Sequence, residues 1–194
     1  VSVPGHGRLS LAQSRAFNEK TKPRWLSVES RVPDPHAYFS ELAQLLTKHC
    51  QDPVRLPELI EFNFDRQRRL VGWSIRGKRL RLRRAAVYAH RELAREKFRD
   101  RYVIFDYSYH LQPHQGTGLD QFRVDLEEGR AHANPSPATE RQFRRHAVEV
   151  SETVLDLADL NLAIFLTICL QYLKAETYPL TPGVAHTYNR TGIG

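Results

Sequence analysis

The sequence predicts an α+β fold: an antiparallel meander sheet of four or more strands packed against N-terminal and C-terminal helices. Three observations carry that expectation. A proline-capped amphipathic segment gives way to apolar residues alternating with period two, the alternation recurs between residues 60 and 126, and a nearly all-apolar helical stretch follows it. Helical patterns at both ends thus flank a mostly extended middle, which suits an α+β chain.

Residues 1–33 carry Pro4, Gly5, Gly7, Pro23 and Pro33 among basic and polar residues without sustained periodicity. They read as an extended basic arm with a helical turn near residues 11–18, ordered on a partner. Asp34 and Pro35 then supply an N-cap and a first-turn proline, and Phe39, Leu42, Ala43, Leu46 and Cys50 follow at helical spacing. After Asp52 and Pro53 the period becomes two. Ile60, Phe62 and Phe64 alternate with Glu61, Asn63 and Asp65, and Val71, Trp73 and Ile75 follow the polar residues 65–69, which predicts a hairpin. Gly77 is expected to turn the chain into a third strand, in which Leu80 and Leu82 alternate with Arg79, Arg81 and Arg83. Residues 85–98 have helical spacing through Ala86, Ala89, Leu93 and Lys97, with a partial prolongation of the third strand as the alternative.

Residues 101–111 predict a strand with Val103, Phe105, Tyr107 and Tyr109 on one face and Ile104, Asp106, Ser108 and His110 on the other. After a turn over residues 113–118, Phe122, Val124 and Leu126 alternate with Gln121, Arg123, Asp125 and Glu127, and Pro135 and Pro137 end the sheet. Residues 138–174 are helical by composition, in two pieces joined near Val148, Val150 and Ser151. The second piece is apolar on most sides and is expected to cross the sheet as the main core helix. The resulting division is an arm at 1–33, a single domain at 34–175 and an irregular tail at 176–194.

The 194 residues suit one domain. Cys50 and Cys169 lie far apart in apolar surroundings without CxxC or Cys/His spacing, which predicts buried thiols in a reducing compartment and no structural zinc. The first residues lack the apolar core of a secretion signal, so a cytoplasmic setting is expected. Residues 160–173 are too short, and too closely flanked by Asp156 and Asp159, for a membrane span. Lys and Arg number 29 against 22 Asp and Glu, a net charge of +7. That excess points to a polyanion partner, although arginine-favouring codons would also produce it, so the placement of the charge has to decide.

Arg76, Lys78, Arg79, Arg81, Arg83 and Arg84 place six cations within nine residues, while Leu80 and Leu82 anchor the same run to a core. Such a face can neutralise several phosphates; the alternative is a solvated strand whose arginines pair with Glu61, Asp65 and other carboxylates. A second constellation joins Asp106, Tyr107, Tyr109, His110 and His114 to Arg123, Asp125, Arg130 and His132. His110 as general acid or base, assisted by Tyr109 and Arg123, would suit metal-independent RNA cleavage, because histidine titrates near neutrality and arginine can stabilise a phosphorane. The alternative is an ordinary sheet surface. Glu61, Asp65, Asp106 and Asp125 would have to converge for metal-dependent nuclease chemistry, and no Asp…Glu-x-Lys pattern accompanies them. His36, His49, His90 and His146 fall on expected helices without metal-site spacing, and are assigned no chemistry. Trp25 and Trp73 read as packing residues, with base stacking by Trp25 the alternative. No phosphate loop, GxSxG elbow or paired metal motif occurs, so no cofactor or metal is expected and NTPase, hydrolase and oxidoreductase readings are poor.

Residues 59–134 also resemble the small TumE-type toxins of bacterial toxin–antitoxin pairs. Leu59-Ile60-Glu61-Phe62, Leu70-Val71-Gly72-Trp73, Tyr107-Ser108-Tyr109-His110-Leu111-Gln112 and Phe122-Arg123-Val124-Asp125 carry the resemblance; the flanking helices lie outside it. It implies a growth-inhibiting, RNA-directed protein neutralised by a cognate antitoxin, with His110 and Arg123 the positions carried over. The sequence thus predicts an endoribonuclease-like protein, RNA favoured over DNA. Its rivals are a non-catalytic nucleic-acid-binding subunit of a defence or mobile-element complex, and a scaffold that binds only proteins.

Overall fold

A computed structural model describes residues 29–136, 148–149, 157 and 159–180 of the chain. Its elements are β1 Ser30–Val32, α1 Pro35–His49, α2 Leu56–Leu59, β2 Ile60–Phe64, β3 Leu70–Arg81, β4 Ala85–Phe98, β5 Arg101–Pro113, β6 Phe122–Glu127, β7 Arg130–Asn134, β8 Val148–Glu149 and α3 Leu162–Ala175. The described strands form one antiparallel sheet in the order β2-β3-β4-β5-β6-β7-β8, and β1 pairs with β5. One edge of the long β5 serves two neighbours: residues 102–104 pair with β1 and residues 107–111 with β6. The α+β class and the meander are as the sequence predicts.

Asp34 caps α1 by accepting a 3.0 Å hydrogen bond from the Ala37 amide, and the helix turns Tyr38, Leu42 and Leu46 into the core. The β2–β3 hairpin sets Phe62 opposite Trp73. Asn161 caps α3 through the Ile164 amide at 3.0 Å, and Phe165 of α3 packs its ring 5.3 Å from Tyr109 and 5.6 Å from Phe122. With Leu162, Ala163, Leu166, Ile168, Cys169 and Tyr172 also buried, α3 is the core helix expected. Cys169 is buried and Cys50 half-buried, both as free thiols, and burial pushes the Cys50 thiol up to about 11. Among the described residues no helix is long and apolar enough to cross a membrane.

Four features differ from the sequence expectation. Gly77 does not end a strand: it adopts φ +56° inside β3, whose residues 78–81 go on pairing with β4, and the chain turns at residues 82–84. Residues 85–98 are a strand rather than a helix. Ala85, Val87 and Ala89 are buried, the next core-facing residue is Glu92, and His90 is the extra residue of a bulge against β5. That one-residue slip turns a period of two into spacings that mimic a helix. A second bulge, where Leu93 and Ala94 pair with Asp106 and Ile104, reverses the faces of β5 at Phe105, so Val103 and Phe105 do not share a face with Tyr107 and Tyr109. Finally, β7 extends the sheet beyond β6, and Val148–Glu149 pairs with it as a strand where a joint between two helical pieces was expected. The helical turn near residues 11–18, Trp25, His146 and the tail beyond residue 180 lie outside the described residues.

Beneath the sheet, the fully buried Glu92 carboxylate accepts hydrogen bonds from the Trp73 indole at 2.6 Å, the Tyr38 hydroxyl at 2.8 Å, the Tyr109 hydroxyl and the Leu162 amide at 3.2 Å. Burial raises its pKa above the ordinary glutamate value, and these four bonds oppose the shift without cancelling it. Glu92→Ala should therefore strand four buried donors and destabilise the fold by at least about 3 kcal/mol in denaturant unfolding, each stranded donor costing about 1–3 kcal/mol. Because the folded carboxyl holds its proton more tightly than the unfolded one, its contribution to stability is fullest below the ordinary glutamate pKa and is lost as pH rises through the folded value. The stability advantage of wild type over Glu92→Gln should accordingly be largest at acid pH and shrink as pH rises.

Candidate nucleic-acid interface

Successive side chains of a strand point to opposite faces, so the residues between the buried tyrosines of β5 emerge on the far side of the sheet. The register there lines up one row across five strands. Arg79 of β3 lies opposite Tyr88 of β4, Tyr88 opposite His110 of β5, His110 opposite Arg123 of β6, and Arg123 opposite Asn134 of β7. The bulge adds His90 to this row. Its ring stacks 5.7 Å from Tyr88 at an interplanar angle of 14° and 6.2 Å from His110 at 18°. The Arg79 guanidinium lies 5.5 Å over the Tyr88 ring. Two imidazoles, a phenol and two guanidinium groups thus share one surface.

The buried carboxylate of Asp125 organises one end of the row. It accepts from Arg123 Nε at 2.8 Å and Asn134 Nδ2 at 2.5 Å, with His132 Nε2 3.6 Å away. Arg123 remains about half exposed, so it is held in place without being covered. Burial, and then the neighbouring His90, lower the His110 pKa below the ordinary histidine value, while a hydrogen bond with Gln121 works against them. His110 is therefore the neutral, proton-accepting imidazole at pH 7. Alongside, Arg91 pairs with Asp106 at 2.6 Å and with Glu127 at 3.7 Å.

Of the three residues expected to act together, His110 and Arg123 are neighbours and Tyr109 is not one of their group. Tyr109 is fully buried on the opposite face, stacked 5.0 Å from Tyr107 and bonded to Glu92. The cationic run is likewise divided. Arg79 joins the row, and exposed Arg81 sits one residue pair further along β3, 3.6 Å from Asp52. Arg76 and Lys78 line a hollow of about 290 Å³ with Glu58 and Glu61. Arg84 is occupied structurally, donating to the Leu173 carbonyl at 2.8 Å and pairing with Glu176 at 2.7 Å at the end of α3. Arg83 is exposed in the β3–β4 turn. Asp65 is paired with Arg69, while Asp106 and Asp125 lie close enough to repel one another; among the described residues no three His, Cys, Asp or Glu side chains group as metal ligands. Trp73 is a buried packing residue.

Sequence reasoning missed Tyr88, His90 and Asn134. A signal was present in Val87 and Ala89 alternating with Tyr88 and His90, but the bulge broke the pattern one residue later. Comparison with protein-family models, curated proteins and solved structures returns no match. Placement of Tyr109 in the core leads to a direct expectation. Tyr109→Phe should lower stability by about 1–3 kcal/mol through loss of a bond to a buried carboxyl group, and should leave the titration of His110, followed by its imidazole NMR signals, essentially unchanged.

Proposed function

We propose that the chain is an RNA-directed, metal-independent endoribonuclease-like protein that holds a single strand along the row from Arg79 to Arg123. The observation that carries this reading is the row itself: His110, poised neutral, lies beside a guanidinium that Asp125 fixes in place. In such a site the imidazole removes the proton of the ribose 2′-hydroxyl and Arg123 meets the negative charge gathering on the phosphate. Arg79, held over the Tyr88 ring, offers a cation for the adjoining phosphate. Arg81 and Arg83 extend the cationic approach. DNA lacks the 2′-hydroxyl nucleophile, which favours RNA. The resemblance to TumE-type toxins adds a neutralising protein partner to the proposal.

A second reading, a non-catalytic RNA- or DNA-binding subunit, is favoured by the same Arg79–Tyr88 pair, which needs no chemistry to grip a strand. The two separate in a salt-titrated binding and cleavage assay with labelled single-stranded RNA in EDTA. The expected result is affinity that falls steeply with salt and with Arg79→Gln, together with cleavage that drops by about 10²–10⁴-fold in His110→Ala. Salt-sensitive binding without cleavage would leave the binding subunit. Absence of binding at low salt would contradict both.

A further inference from the structure

We infer that His90 is the second proton carrier of this surface, and that cleavage leaves a 2′,3′-cyclic phosphate on one product and a free 5′-hydroxyl on the other. This rests on the RNA reading above and names the reaction it performs.

The geometry of the bulge is the starting point. A β-bulge inserts an unpaired residue and re-aims its side chain, a device recurrent beside functional sites. Here the residue inserted between Ala89 and Arg91 is His90, and its ring is delivered beside both Tyr88 and His110, the three ring centroids standing 5.7, 6.1 and 6.2 Å apart. It is exposed, and makes no hydrogen bond or ion pair with another described residue. Its ring is held by stacking alone, which leaves both nitrogens open to a ligand. The two ring centroids are 6.2 Å apart. Each proton transfer needs a hydrogen bond of roughly 2.6–3.2 Å, so two imidazoles at this spacing can reach the entering and the leaving oxygen of one phosphate between them. The groups facing the pair are Tyr88 and Arg91 of β4, Arg79 of β3, and Arg123 and Asp125 of β6, with Gln121 just before it. Arg123 is matched by Asp125, and Arg91 by Asp106 and Glu127, so Arg79 is the cation of this group that has no carboxylate partner among the described residues and is free to meet a phosphate.

The step balances without an added reactant. The 2′-oxygen attacks the adjacent phosphorus while neutral His110 takes its proton. The bond from phosphorus to the 5′-oxygen breaks, and protonated His90 gives its proton to that oxygen. Arg123 meets the charge on the non-bridging oxygens. The pair ends with the proton on His110 rather than His90, and exchange with water restores the starting state.

The test uses the full chain in EDTA with a single-stranded oligoribonucleotide. Product ends are identified by mass, and RNA binding and thermal unfolding are measured on the same samples. His90→Ala should retain the wild-type unfolding temperature and still bind RNA in a salt-sensitive way, but cut about 10²–10⁴-fold more slowly at saturating protein. A substrate carrying sulfur in place of the scissile 5′-oxygen, a leaving group that needs no proton, should restore cleavage by His90→Ala and not by His110→Ala. If His90→Ala cuts oxygen substrates at the wild-type rate, or the products end in a 3′-hydroxyl, the inference falls while RNA binding stands. If the wild-type chain binds RNA without cutting it, cleavage by either histidine is overturned. If it binds none at low salt, the whole RNA reading goes with it.

Discussion

A single carboxylate sets the orientation of the fold. Glu92 projects from β4 beneath the sheet and is bonded by α1 through Tyr38, by β3 through Trp73, by β5 through Tyr109 and by the first turn of α3 through the Leu162 amide. Amides at a helix N-terminus favour negative charge, and the three aromatic donors are packed among apolar rings. A charge-bearing group in so dry a place is stable only while every donor stays on it, so the five elements are tied to one arrangement. The same contact has a consequence on the other side of the sheet. With Tyr109 drawn inward to Glu92, the alternation of β5 sends His110 outward, opposite Tyr88 and Arg123.

The outward surface is built by register and by one irregularity. Register aligns Arg79, Tyr88, His110, Arg123 and Asn134; the slip at His90 places a second imidazole among them. The same slip brings Glu92 to the core face after Ala89, three residues on. One inserted residue thus serves both the core and the surface, and deleting it would return the wrong residues of β4 to each.

Much of the architecture was legible because local chemistry and tertiary packing agree. The Asp34-Pro35 start of α1, the β2–β3 hairpin, the alternation in β6 and the apolar α3 all appear as their residue patterns require. Three of the four departures share one cause. Bulges at His90 and Phe105, and a positive φ at Gly77 within a strand, shift or interrupt a period without changing composition, and a single sequence does not distinguish such a shift from a change of element. For the site, His110 and Arg123 were legible as neighbours across two strands. Tyr109 was misplaced, because adjacency along a strand puts two side chains on opposite faces. Glu92 was invisible, since a lone glutamate between Arg91 and Leu93 reads as a surface residue until the donors around it are seen. The arginine run looked uniform, yet tertiary neighbours divide it: Arg84 is drawn to α3, Arg76 and Lys78 to the Glu58–Glu61 side, and Arg79 to the histidine row.

The claim that this surface is where the chain meets nucleic acid is tested most directly by NMR titration with a single-stranded oligonucleotide lacking 2′-hydroxyls, which can bind but not react. Binding at the row predicts that the His90 and His110 imidazole signals and the Arg123 side-chain signal shift together and saturate at one ligand concentration, while the Glu92-bonded Trp73 indole signal stays in place. Shifts confined to other surfaces, with the two imidazoles unmoved at saturation, would contradict the account.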